Sequence, residues 1–462
     1  MNTTKIIAGG YTFTCNERKD AGAYNIAVRA NLIVDLSRDL DGLKRKYPEA
    51  EIEDVEGKII LPTFFNSHFH PEAIVCRSVE PRDPISQWRE DSLLNVELSV
   101  ESQNEAFFEK LYHLAFFSAL QCGVSGIAFS LIGDEAGARG MYSALKLAGI
   151  DAVAFAESDS QTSFLKRVVD KHLKYGGSVP YQKDLTLFGL SAVARINSES
   201  PGWIMAHADE SEDDVVITRS NFNSGLIQLL KKSKLLGANT ILVGLNGTQA
   251  NSLRAARSED AKVVLTPTEL SLQNFRSIRN VFEKFAIGSN WKTPGLFEEM
   301  KRLLEFGVTP HEVLVSATRY GADMFNMGSK SGSIEIGKLA NFTFVDTRKY
   351  SARRIEKFSL DEAAAAFIED YTDSDVSDVM LEGEFVCKDR KLLLYNGDEL
   401  MQEGADLVET VLKYKETIVS EVKYSSPKAP STREEDTTEM ETDNGKVELP
   451  KNIRKVFGED EF

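Results

Sequence analysis

Between residues 59 and 288, short apolar runs alternate with stretches whose apolar residues recur about every three to four positions, the pattern of strands separated by amphipathic helices. The strand-like runs fall at residues 59–66, 124–130, 152–156, 185–193, 203–206, 240–245, 263–267 and 285–288. Helical patterns at 102–121, 138–147, 164–175, 224–236 and 296–305 separate most of them. Eight strands, each followed by a helix, predict an α/β fold, a (β/α)8 TIM-type barrel over residues 61–329. The fourth unit breaks the rhythm. Residues 195–202 include Pro201 and Gly202 and are too few for an ordinary crossover helix.

The flanks read differently. Residues 5–14, 24–34 and 51–55 are short β-rich pieces punctuated by Gly9-Gly10 and Asp20-Ala21-Gly22. After a helical stretch at 310–327, strand character returns at 333–346 and 379–387, so the late strands are expected to pair with the early ones. Residues 396–423 predict a C-terminal helix with Leu407, Val408, Val411, Leu412, Ile418 and Val422 roughly on one side. Residues 424–462 carry Glu434-Glu435-Asp436 and too little apolar content to bury, and predict an acidic disordered tail.

Charge narrows the partners. The chain has 462 residues, 54 basic against 71 acidic, for a net charge of −17, which repels phosphate backbones and anionic lipid and argues against nucleic acid or a membrane surface. Cys15, Cys76, Cys122 and Cys387 lie far apart, so neither a disulfide framework nor a thiolate zinc site is indicated. No signal-like apolar segment opens the sequence, and no apolar run approaches the ~18 residues of a membrane span. A cytoplasmic protein with a small-molecule ligand is the expectation.

Three of the six histidines stand at strand ends. His68 and His70 close the run 59–66, and residues i and i+2 of a strand face the same side, so both imidazoles should point inward at the barrel mouth. His207 follows the fifth run and brings a third. Three neutral imidazoles can hold a zinc-like ion and leave a position open for water, with a nearby carboxylate such as Glu210 to move protons. His113, His172 and His311 sit within or beside helical patterns and receive no role. Glu269 follows the seventh run, where it could face the pocket.

The segment from Glu56 to His70, EGKIILPTFFNSHFH, resembles the entry into the first barrel strand of the amidohydrolase superfamily, specifically the branch of cytosine and guanine deaminases and triazine chlorohydrolases. Arg77 and Trp88 fall where that branch carries an arginine and a tryptophan. Residues 119–125, ALQCGVS, resemble its helix leading into the second strand, and residues 317–322 and 332–341 resemble its return to the small sheet region. The resemblance implies a barrel joined to a composite β-sandwich built from residues 1–60 and 330–395. It also implies one divalent metal ion, zinc, on His68, His70 and His207, catalytic positions at Glu210 and Asn290, a substrate contact at Arg77, and a homodimer; Glu269 is read as a further substrate contact from its place after the seventh run alone.

Thr63 stands where that pattern usually has glycine and Asn341 where it usually has aspartate, and two further departures bear on the metal chemistry. The sixth strand, read as Ile241-Leu242-Val243-Gly244-Leu245-Asn246, has no imidazole, and Asn290 stands where the resemblance calls for an aspartate. An amide is no base near neutral pH. The expected activity is metal-dependent hydrolysis of non-peptide carbon–nitrogen bonds in a small cyclic amidine, amide or nucleobase-like compound. The alternative is a catalytically impaired homologue serving as a small-molecule binding or scaffold protein.

Overall fold

The computed structural model describes residues 4–75, 104–199, 202–347 and 357–425. Among these the strands run β1 (Thr4–Ala8), β2 (Tyr11–Phe13), β3 (Ala21–Ala23), β4 (Asn25–Arg29), β5 (Leu32–Ser37), β6 (Glu51–Asp54), β7 (Lys58–Pro62) and β8 (Phe64–Asn66). They continue as β9 (Val124–Ser130), β10 (Asp151–Ala156), β11 (Leu173–Val179), β12 (Trp203–Ala208), β13 (Thr240–Gly244), β14 (Lys262–Leu265) and β15 (Ala286–Ile287). Last come β16 (Phe342–Asp346), β17 (Val376–Leu381), β18 (Glu384–Lys388) and β19 (Lys391–Leu392).

Strands β8 to β15 form one parallel sheet in sequence order, the expected barrel. Its two edges meet through backbone hydrogen bonds: Ser67 N–H donates to Ile287 O at 2.9 Å, Asn290 N–H to His68 O at 3.1 Å, and His70 N–H to Asn290 O at 3.1 Å. Gly288 permits this seam, because a Cβ there would stand 2.4 Å from His68 O and 2.7 Å from His68 N. Inside, Phe65, Val153, Phe155, Met205, Ile241, Val243 and Val264 pack against Phe325 and Met327, so the barrel is filled and not a channel.

The remaining strands make an auxiliary sandwich. One sheet is ordered β5-β4-β1-β6, and the other, β19-β18-β17-β16-β7-β2-β3, joins both ends of the chain as expected. Ile7, Ile26, Val28, Ile60, Phe342, Phe344 and Met380 fill the space between them.

The structure corrects two strand assignments. The run 59–66 is two strands: β7 pairs with β16 and β2 in the sandwich, and only β8 enters the barrel. The hand-over falls at Thr63, whose N–H donates to Asn341 O while its hydroxyl accepts from Ser125. Both flanking strands are buried, which is why the apolar run has no break. The fourth barrel strand is β11, not 185–193. Gly176 and Gly177 dilute its β-character, while Leu187–Glu199 is a helix that buries Leu190, Val193 and Ile196 at helical spacing. The fourth crossover therefore contains a full helix, and the helix expected at 164–175 is Asp159–Val168, ending before β11 begins.

The C-terminal helix spans Gly397–Ser425 and packs against the helix Glu105–Gln121. The tail beyond it, like Arg77 and Trp88, lies outside the described residues. No helix among the described residues is long and apolar enough to cross a membrane.

Candidate metal centre

β8 ends into His68 and His70, and β12 carries His207 near its C-terminal end; all three side chains are buried. One ring nitrogen from each lies within 4.8 Å of the others. Ring centroids are 4.8 Å apart for His68 with His70, 4.8 Å for His68 with His207 and 5.6 Å for His70 with His207. The three imidazoles expected at the barrel mouth do converge.

Each ring is fixed by a partner. Glu72 Oε1 sits 3.0 Å from His70 Nδ1, and Glu210 Oε1 2.7 Å from His207 Nδ1. A carboxylate on Nδ1 holds the proton there and leaves the Nε2 lone pair for an ion, the usual orienting device around metal-binding histidines. Trp291 stacks on His70 at 3.8 Å and 6°, and the Tyr181 ring lies 4.2 Å from His207 with its hydroxyl 3.4 Å from His70 Nε2.

His68 differs: its Nε2 lies 3.0 Å from Asn290 Oδ1, and its Nδ1 is buried with no hydrogen-bond partner among the described residues. Burial, with the neighbouring His207 and His70, holds its pKa well below the usual histidine range and keeps the ring neutral. The neutral ring is the form that ligates. This donor set fits a divalent ion. Three buried imidazoles converge, one has a nitrogen unsatisfied by protein, and the Asn290 oxygen lies beside them.

Asn290 follows β15 in a left-handed conformation, φ 50°, which asparagine tolerates better than most residues. Its Nδ2 donates to both carboxyl oxygens of Glu269, at 3.0 and 2.8 Å. Glu269 ends a short 3-10 turn, Pro267–Glu269, that is anchored by buried Glu299 accepting from Thr268 N–H at 2.8 Å and from its hydroxyl at 2.6 Å. The structure thus brings Glu210, Asn290 and Glu269 to the histidines. Asp209 is instead held by Gln182 and Thr248.

Gly244 explains the missing imidazole on the sixth strand. Its φ is 90°, and a Cβ there would lie 2.5 Å from Glu210 Cγ. The Glu210 side chain fills the space that a residue at 244 would need, so the two cannot coexist in this arrangement. Glu72, Tyr181 and Trp291 join the site without having been expected there. Glu72 repeats the same-side spacing of His68 and His70 and Trp291 adjoins Asn290, whereas nothing local marks Tyr181.

Burial, together with the charge of Glu210, pushes the Glu269 carboxyl up from 4.5 to about 8, against the opposing hydrogen bond from Asn290. Between those values the folded chain holds a proton that the unfolded chain releases, so this group lowers stability as pH rises through the window. Glu269→Gln should remove that dependence. Its Tm should exceed the wild-type value at pH 8 but not at pH 5, and parallel Tm curves across this range would contradict the assignment.

A barrel whose C-terminal mouth gathers imidazoles from two strands is here joined to a sandwich built from both chain ends. Residues 59–386 match the amidohydrolase family, and the chain belongs to it. It is similar to a 5-methylthioadenosine/S-adenosylhomocysteine deaminase of Pyrococcus abyssi, 20% identical over 440 residues that cover 87% of this chain and 98% of the relative. A 5'-deoxyadenosine deaminase of Methanobrevibacter smithii is 20% identical over 428 residues, covering 83% and 93%. Among solved structures, an adenosine deaminase from Xanthomonas campestris with bound zinc aligns with a TM-score of 0.75 at 16% identity, over 89% of this chain and 99% of that one. Atrazine chlorohydrolase from Arthrobacter aurescens complexed with zinc aligns at 0.73 with 15% identity, over 87% and 99%. These likenesses establish the fold. Among the described residues the candidate cluster holds three histidines, His68, His70 and His207.

Proposed function

We propose that this chain is a mononuclear metal-dependent hydrolase acting on non-peptide carbon–nitrogen bonds of a small cyclic amidine, amide or nucleobase-like compound. The observation that carries the reading is the convergence of His68, His70 and His207 within 4.8 Å. The names of the relatives, deaminases of adenosine-type compounds, support the substrate class.

His68, His70 and His207 would hold the ion, zinc by analogy with the zinc-bound structures. Such an ion supplies Lewis acidity and lowers the pKa of water toward neutrality. Glu72 and Glu210 fix the His70 and His207 rings with lone pairs inward, and Glu210, just beyond β12, is the carboxylate that would carry a proton to a leaving nitrogen. Asn290 would contribute a neutral oxygen, and Glu269, expected as a substrate contact, accepts at both carboxyl oxygens from the Asn290 amide. Arg77, the other substrate contact in this proposal, belongs to the residues not described.

A second reading is favoured by one observation: position 290 is an amide tied to Glu269 and not a free carboxylate. Losing a general base typically costs about 10²- to 10⁴-fold in rate. On that reading the pocket binds its small molecule without turning it over.

Elemental analysis of protein purified without chelators separates the two, followed by assays on adenosine derivatives, cytosine, guanine and chlorotriazines. The hydrolase reading expects about one transition-metal ion per chain and turnover of one of these compounds. Stoichiometric metal without turnover favours the binding protein. Absence of metal, with no hydrolysis after adding zinc or manganese, sinks the hydrolase.

A further inference from the structure

A carboxylate only accepts hydrogen bonds, so the group of Asn290 that faces both oxygens of Glu269 at 3.0 and 2.8 Å must be its NH₂. The same amide then has one way to face the histidines, with Oδ1 toward His68 Nε2 at 3.0 Å. The Thr266 hydroxyl donates to Glu269 Oε2 at 3.1 Å, and because a hydroxyl can turn to accept, a proton held by the carboxyl has that oxygen as its partner and leaves the amide orientation unchanged. The anchored turn beneath Glu269 keeps the carboxyl in place, through Glu299 and Thr268.

We propose that Glu269 is a positioning residue that locks the Asn290 amide with its oxygen toward the histidine cluster, so that position 290 offers an ion a neutral carbonyl donor. The inference rests on reading the cluster as an ion site. It goes beyond that reading by giving residue 269 a role of its own. Glu269 works through another side chain and keeps an NH₂ group, which cannot ligate, out of the site. The metal-free molecule carries the same signature. With Oδ1 accepting from it, His68 must carry its proton on Nε2.

The test uses the full chain and four versions: wild type, Glu269→Gln, Asn290→Asp and the double variant. Glutamine at 269 both donates and accepts, so the Asn290 amide loses its fixed direction. In ¹⁵N-histidine spectra of the metal-free protein, assigned through the signal lost in His68→Gln, the wild type should show His68 protonated at Nε2, and Glu269→Gln should shift part of that population to Nδ1. Cobalt(II) affinity, read from its visible absorption, should fall about 10- to 100-fold in Glu269→Gln, the range for losing an orienting partner.

The decisive arm is Asn290→Asp. A carboxylate presents oxygen on either face, so adding Glu269→Gln to it should not lower cobalt affinity. An equal loss in both backgrounds, or an unchanged His68 tautomer in Glu269→Gln, overturns the proposal. Failure of the wild type to take up cobalt would count against the hydrolase reading, while the tautomer measurement still decides the role of Glu269. Should Glu269→Gln not fold, comparing Asn290→Asp with the double variant still decides it, since a fall in affinity there overturns the proposal.

Discussion

Changing His207 to alanine should remove metal from the purified chain and lower cobalt(II) affinity by more than the roughly 100-fold that loss of an orienting partner costs. The reason lies in how few donors converge. His68 and His70 come from one end of β8, and His207 is the only imidazole that approaches from β12 among the described residues. Without it, two neutral rings and one amide oxygen remain, a poor set for a divalent ion. His172 provides the control: it lies outside the cluster, near Asp151 and Glu382, and its replacement should leave metal content unchanged. If His207→Ala and His172→Ala retain the same stoichiometric metal, the ion is bound elsewhere and the three-histidine centre is structural.

The second large effect is expected at Gly288. An alanine there would drive a methyl group to 2.4 Å from a carbonyl oxygen and 2.7 Å from an amide nitrogen of His68, both backbone atoms that cannot rotate away. Relief requires separating β15 from the end of β8, which breaks the bonds joining Asn290 to His68 and His70. Overpacking with such forced backbone movement typically costs about 1–3 kcal/mol, and a clash with two backbone atoms belongs at the upper end. Urea unfolding should show it, and cobalt affinity should fall in parallel because the same bonds hold His68 and Asn290 in register. A loss below about 1 kcal/mol would mean that the seam yields easily.

The barrel could be read from sequence because most of its strands are short apolar runs bounded by breakers. β11 escapes such a reading because Lys174, Gly176 and Gly177 interrupt the pattern, and its place is taken by the run 185–193, where Leu185-Thr186-Leu187 alternate like a strand at the point where a helix begins. The division of 59–66 at Thr63 is equally hidden, since burial on both sides of the break leaves no polar mark. At the site, alternation along an extended chain is enough to pair His68 with His70. The tie between Asn290 and Glu269 depends on how adjacent β14 and β15 lie against each other, and residues 21 positions apart carry no local sign of it. Tyr181 reaches His70 across 111 positions from the loop after β11, so only the closed fold brings them together.

The passage of one continuous stretch from β7 to β8 also has a mechanical consequence. Ile59, Ile60 and Leu61 are clamped by β16, which comes from the far end of the chain, and the same backbone runs on within a few residues to His68 and His70. The sandwich is therefore an anchor for the stave that delivers two of the three imidazoles. A fragment cut to the cylinder would begin on an untethered end, and the first thing to lose its footing would be the rim where the imidazoles gather.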